Sequence, residues 1–201
     1  MEARDLRDPT AQGSGLRARK RRQTERRIQA AALGLFERYG FDAVTVEQVA
    51  AEADVSVVTV YRYFVTKENL VLQDPFEGEL TDAILEAIRT GHDIPAAVQH
   101  VLEQLPAERA EDTEQDARVR IRLANEIPAI AGAAHIRARA RARQLVEALP
   151  GGLADRLDAR VQALATFAAL EAAADHWHDV PDAGTLRDVS LAAVRTLRTT
   201  W

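Results

Sequence analysis

The sequence predicts an all-α protein. An amino-terminal three-helix helix-turn-helix domain precedes a carboxy-terminal helical bundle, with about nine helices in total. Three observations carry this expectation. Apolar residues recur at i, i+3, i+4 and i+7 through most of the chain. Residues suited to helix caps and stops bracket those segments. No strand-pairing pattern or tandem repeat appears. The one strongly β-prone stretch, Val55 to Val65, contains five valines and two tyrosines. Both of its flanks read as helix, so a strand there has nothing to pair with, and tertiary context overrides local propensity.

Residues 1–16 hold Pro9, Gly13, Ser14, Gly15 and scattered charges without periodicity. Together with the basic run that follows, residues 1–23 are expected to form a disordered basic arm. From Thr24, the residues Ile28, Ala31, Ala32, Leu35 and Phe36 share one helix face, and Gly40 is placed to end it in left-handed geometry. Thr45 suits the N-cap of a second helix, with Gln48 at the capping-box position. Val46, Val49, Ala50 and Ala53 form its stripe. Ser56 caps a third helix, in which Val60 and Phe64 point inward. Thr66 offers a further cap ahead of Lys67 and Leu70.

Asp74-Pro75 breaks the chain, and Pro75 is expected to act as a bend between two stiff units. Helices then follow over about Phe76–Arg89, from Pro95, from Glu111 to Pro128, and around Ala138–Leu149. Pro150-Gly151-Gly152 ends the last of these. An alanine-rich helix covers roughly Leu153–Trp177, and a final helix is capped by Thr185. The chain is therefore expected to form two domains, 24–70 and 71–201.

Charge is distributed unevenly along the chain. Residues 1–67 carry 12 Lys/Arg against 9 Asp/Glu, a net of +3, whereas residues 68–201 carry 14 against 22, a net of −8. A basic head on an acidic body points to a polyanion met by the head alone. The absence of cysteine excludes disulfides and thiolate metal sites. The charged N-terminus lacks the apolar core of a signal peptide, and the apolar run Val161–Ala174 is too short to span a bilayer. A cytoplasmic protein without membrane contact is expected. His176 and His178 lie two apart on a helix, face different ways and make a poor metal pair. No P-loop, dinucleotide glycine motif or nucleophile elbow appears. No catalytic residue, metal site or cofactor is assigned.

Three consecutive blocks, Ala31–Gly40 (AALGLFERYG), Phe41–Ala53 (FDAVTVEQVAAEA) and Val55–Leu70, resemble the TetR/AcrR family of bacterial transcriptional regulators in order, spacing and residue type. The resemblance covers about residues 24–70; beyond it the chain matches only in length and helical character. One departure is Asp54, where the family commonly has glycine in the turn. The resemblance implies a recognition helix from Val57 to Phe64 in the DNA major groove. It implies DNA contacts from Thr45, Val57, Val58, Thr59, Tyr61, Tyr63 and Lys67.

Elementary chemistry agrees with those assignments. Thr45 and Thr66 begin helices, where free N–H groups attract phosphate, and Lys67 adds charge. Tyrosine hydroxyls donate to phosphate oxygens, and valines lie against thymine methyls. On this reading DNA is the missing partner of the exposed valines. Arg17, Arg19, Lys20, Arg21 and Arg22 either reach an adjacent minor groove or supply non-specific attraction.

The resemblance further implies a homodimer on a palindromic double-stranded operator, acting as a repressor released by a small-molecule effector. Alanines 163, 165, 168, 169, 172, 173 and 174, with the last helix, are expected at a four-helix dimer interface. Phe76, Leu80, Ile84, Val98, Leu102, Val119, Leu123 and Phe167 either line an effector pocket or form plain core. Ile136–Arg143 alternates arginine with small residues. It reads as a solvated face with salt bridges, the alternative being an anion site for an acidic effector. The competing functions are a DNA-binding protein without an effector and a helical enzyme with an incidental helix-turn-helix.

Overall fold

Ile28, Ala32, Leu35 and Phe36 stack on one face of the first helix, and all four are buried. In a computed structural model of the protein, which describes residues 9–73, 77–149 and 157–200, this helix is α1 (Pro9–Tyr39). Each such side chain removed from water contributes about 1.5–3 kcal/mol when large and apolar. Gly40 ends the helix at φ 83°, its amide bonded to the Phe36 carbonyl at 2.9 Å.

Two short helices complete the first unit's core: α2 (Val46–Glu52) and α3 (Val57–Tyr63). Val49, Val60, Phe64 and Leu70 are buried to 2% exposure or less. The β-prone stretch is thus helical at its centre. A buried polar pin accompanies this core: Gln29 Nε2 donates to the Leu70 carbonyl at 3.1 Å. The chain divides into two compact units after Leu70. A single turn of helix, α4 (Asn69–Leu72), straddles that point, with Thr66 Oγ1 accepting from Asn69 N at 3.3 Å.

The expected arm differs from what is observed. Residues 9–23 continue α1 rather than forming a disordered segment. The reason lies in propagation. Once the buried face nucleates the helix, the stretch from Leu16 to Arg27 is mostly Leu, Ala, Arg, Lys, Gln and Glu, which extend a helix at little cost. Pro9 is tolerated in the first turn. Asp74, Pro75 and Phe76 lie outside the described residues, as do Pro150, Gly151 and Gly152.

The second unit holds α5 (Glu77–Arg89), α6 (Ile94–Gln104), α7 (Ala107–Glu126), α8 (Pro128–Glu147), α9 (Leu157–Asp179) and α10 (Leu186–Thr200). Ten helices and no strand therefore occur among the described residues. The helix expected from Glu111 starts earlier, directly after Pro106. Asp93 caps α6 by accepting from Ala96 N at 2.7 Å, and Pro95 sits in its first turn. Thr185 caps α10 by accepting from Asp188 N at 3.1 Å.

Helices α5, α6, α8 and α9 share one core built around Ile88, Ile94, Leu145, Val146 and Ala163. Trp177 is fully buried, bonds the Gly184 carbonyl through Nε1 at 2.9 Å and lies 3.9 Å beneath the Arg118 guanidinium. Arg187 donates to the Leu102 and Glu103 carbonyls, both at 2.8 Å. A cation there satisfies the open carbonyl end of α6 and complements its dipole.

Candidate nucleic-acid interface

The turn between α2 and α3 sets the geometry of this unit's outer surface. Asp54 adopts φ 50°, the one positive value at a non-glycine among the described residues. The amides of Asp54 and Val55 return to the carbonyls of Ala51 and Ala50 at 3.1 and 3.0 Å, closing α2. Aspartate accepts left-handed geometry more readily than most residues, which explains its use in place of glycine. Arg27 Nη2 approaches the Asp54 carbonyl at 3.5 Å from α1.

Both helix starts are capped as their sequences predict. Thr45 Oγ1 accepts from Gln48 N at 3.3 Å, while Gln48 Oε1 accepts from Thr45 N at 2.8 Å. Ser56 Oγ accepts from Thr59 N at 3.1 Å and shares a 2.8 Å hydrogen bond with the Thr59 hydroxyl. Thr59 is therefore half-buried and already engaged. The α2 start also carries a carboxylate. Hydrogen bonding to its own backbone amide first, and to Thr45 second, holds the Glu47 carboxyl below its ordinary pKa.

With Val60 and Phe64 turned inward, α3 presents its other side outward. Val58 is 77% exposed and Tyr61 49% exposed; Val57 is half-buried. Tyr63 is half-buried between two cations, with Arg21 at 5.6 Å and Arg62 at 5.2 Å from its ring centroid. Lys67 behaves differently. It is half-buried, its Nζ donates to the Phe41 carbonyl at 2.5 Å, and it lies 4.3 Å from the Phe41 ring centroid. It thus ties the α3–α4 turn to the connection between α1 and α2.

Arg19, Lys20 and Arg21 are exposed along α1 and Arg22 is half-buried; the side chain of Arg17 lies outside the described residues. Arg21 also pairs with Glu25 at 3.0 Å. Sequence reading passed over Arg62, an exposed cation on the same helix as Tyr61. Its signal was available: a lone basic residue between two tyrosines in the last turn of α3.

Residues 28–73 match the model of the bacterial regulatory proteins of the tetR family. Over this amino-terminal region the chain is similar to TetR-family regulators. Over 63 residues it is 41% identical to the HTH-type transcriptional regulator TcmR of Streptomyces glaucescens, a match covering 31% of this chain and 28% of that protein. Over 77 residues it is 38% identical to the HTH-type transcriptional regulator YdeS of Bacillus subtilis strain 168, covering 38% of each. The chain thus aligns with well under half the length of these TetR-type relatives.

Solved structures extend the likeness to the whole fold. The crystal structure of Thermus thermophilus FadR, a TetR-family transcriptional repressor in complex with lauroyl-CoA, is 21% identical with a TM-score of 0.52. The match covers 87% of this chain and 93% of that one. A transcriptional regulator from Pseudomonas aeruginosa PAO1 is 24% identical with a TM-score of 0.53, over 89% and 90% of the two chains. At these identities the likeness is one of fold.

The second unit distributes its sequence-predicted residues unevenly. Val98, Val119 and Leu123 are buried, Ile84 and Phe167 pack against the core around Ile88, and Leu80 and Leu102 are half-buried. Phe76 lies outside the described residues. Two surface clefts, of about 610 and 230 Å³, are lined by other residues. Among the alanines expected at an interface, Ala163 and Ala173 are buried within their own unit, at 0% and 3% exposure. Ala168 and Ala172 are exposed, and Ala165, Ala169 and Ala174 are half-buried. The alanine run is long enough to go round the helix, so part of it necessarily faces inward.

Proposed function

We propose that the protein is a ligand-responsive repressor that binds a palindromic operator as a homodimer, with no catalytic role, in the cytoplasm. The observation that carries the DNA reading is the outer side of α3. A helix seven residues long holds Val58 at 77% and Tyr61 at 49% exposure while its caps and inner residues are fully engaged. Apolar side chains left in water on a rigid capped helix suit base edges and thymine methyls. Thr45, Val57, Thr59, Tyr63 and Lys67, with the basic stretch Arg17–Arg22, make up the surrounding contact surface, to which Arg62 is added.

The second unit, from residue 71, supplies dimerisation and the effector site. The outward side of α9, with Ala168 and Ala172, and α10 form the two-fold contact. Mechanism is then linkage. Effector favours the dimer whose two α3 helices are wrongly spaced for successive major grooves, and DNA favours the other. Each weakens the other, with a coupling of about 1–3 kcal/mol. Selection of operator sequences from a random pool, followed by footprinting, tests the reading. An inverted repeat protected on both halves is expected. Protection of a single half-site by a monomer would overturn it.

A further inference from the structure

Between residues 17 and 27, seven arginines and lysines surround a single acid, Glu25. A carboxylate has the wrong charge for a surface that meets a polyanion. It is also costly where it lies, because Glu25 is only 6% exposed and a buried charge must be paired. Its partner is Arg21, one turn earlier on α1, whose Nε donates to Oε1 at 3.0 Å. A cation placed four residues ahead of a glutamate is the weaker order of such pairs, so helix stability does not account for it.

The pair instead fixes a guanidinium. The bond to Glu25 uses Nε and leaves the terminal nitrogens of Arg21 to solvent, its side chain being 65% exposed. Its Cζ lies 5.6 Å from the ring centroid of Tyr63, which is half-buried on α3. Arg62 rests against the same ring, 5.2 Å from its centroid, and has no ion pair among the described residues. One aromatic ring thus carries cations from two helices. The ring attracts both guanidiniums, and a carboxylate on the Nε edge removes rotational freedom that Arg21 would otherwise lose on binding. We propose that Glu25 is a positioning residue for DNA binding. Its carboxylate, with the Tyr63 ring as platform, holds Arg21 so that the terminal nitrogens meet a backbone phosphate, while Arg62 meets phosphate from α3. The arginine fork suits phosphate oxygens in charge and geometry. Tyr63 then serves DNA through its ring rather than its hydroxyl. This role rests on the DNA-binding function proposed above.

Fluorescence anisotropy on the full chain, with a duplex selected from a random pool and a mixed-sequence duplex, tests the proposal. Glu25→Met removes the acceptor and keeps the buried bulk. Charge counting alone predicts tighter binding, since a negative charge leaves a basic head. The positioning role predicts affinity for the selected duplex lower by about three- to tenfold. The unfolding midpoint does not fall, because the arginine left behind is already largely in water. In an Arg21→Ala chain, Glu25→Met causes no further loss. Tyr63→Leu weakens binding by a similar factor and Tyr63→Phe by less. In NMR of the free protein the Arg21 Nε–H exchanges slowly with water, and Glu25→Met makes it fast. Unchanged or higher affinity in Glu25→Met overturns the proposal, as does an equal loss with and without Arg21. A lowered midpoint in Glu25→Met marks the carboxylate as structural and overturns it as well. Tyr63→Phe weakening binding as much as Tyr63→Leu places the role in the hydroxyl and removes the platform. Fast exchange at the Arg21 Nε–H of the unaltered chain overturns the tether without reference to any DNA. An unaltered chain that binds neither duplex removes the DNA-binding reading, and this role falls with it; in every other failure that reading stands.

Discussion

Replacing Lys67 with alanine separates two roles that the sequence alone merges into one. Read as a phosphate contact, Lys67 is dispensable to the fold. In the structure its ammonium bonds the Phe41 carbonyl at 2.5 Å and lies against the Phe41 ring. Loss of a hydrogen bond from a charged group costs about 1.5–3 kcal/mol, and loss of the ring contact about 0.5–1 kcal/mol at a partly exposed site. Newly admitted water on the Phe41 carbonyl offsets part of this, leaving a destabilisation of about 2 kcal/mol for the first unit. For a unit of this size that is a fall of roughly 10 °C in its unfolding midpoint. The chain provides a convenient assay. Its three tyrosines, Tyr39, Tyr61 and Tyr63, all precede Leu70, and its two tryptophans, Trp177 and Trp201, both follow it. Near-ultraviolet circular dichroism of tyrosine therefore follows the first unit, and tryptophan fluorescence follows the second. In Lys67→Ala the tyrosine transition moves and the tryptophan transition stays. Lys67→Met, which keeps the stem without the charge, behaves like alanine. An unchanged tyrosine midpoint would show that the ammonium holds nothing in the folded unit, and the structural role assigned to it would fall.

Tyr61→Phe removes only a hydroxyl from an exposed ring and should weaken operator binding several-fold without altering either unfolding transition; equal affinity would exclude a phosphate contact by that group. Glu47→Gln removes a carboxylate that its own amide and Thr45 hold below the ordinary pKa, and so keep charged at neutral pH. Operator affinity should rise, and a fall would mean that Glu47 does not face the DNA. Ser56→Ala deletes the α3 cap and should cost about 1 kcal/mol in the tyrosine transition. In the second unit, hydrogen bonds from Gln99 first and Arg195 second hold the Glu103 carboxyl below its usual range. Because the folded pKa is depressed, this contribution to stability is present above the unfolded pKa and is lost as pH falls through the folded one. Gln99→Ala should bring the Glu103 titration, followed by NMR, back toward the ordinary glutamate value.

Much of the first unit was legible because its determinants are local. Thr45 with Gln48, Ser56 ahead of the valines, and Gly40 after Tyr39 are capping signals whose geometry needs only a few neighbouring residues. The inward pair Val60 and Phe64 follows from helical spacing alone. What escaped depends on distant partners. The helical state of residues 9–23 was hidden because Gly13 and Gly15 read as breakers, whereas the helix extends from a nucleus beyond them. Lys67 turns inward because Phe41, 26 residues away, offers a carbonyl. The arginine alternation is likewise resolved by another helix, since Arg137 and Arg141 both pair with Glu77. Which alanines of α9 face inward was hidden for a different reason: a helix that is apolar nearly all round carries no directional signal.

Helix α3 has one buried residue, Val60, and ends on a second anchor, Phe64. The fold thus asks little of the positions that face outward. Val58 and Tyr61 can be exchanged for other side chains without disturbing the packing that holds the helix in place. Sequence change at these positions is therefore nearly free in stability, and its effect falls on partner choice alone. On the proposed function, a duplicated copy can drift toward a new operator through single substitutions without passing through unfolded intermediates. A library built over Val57, Val58, Tyr61 and Arg62 is the laboratory equivalent of that drift.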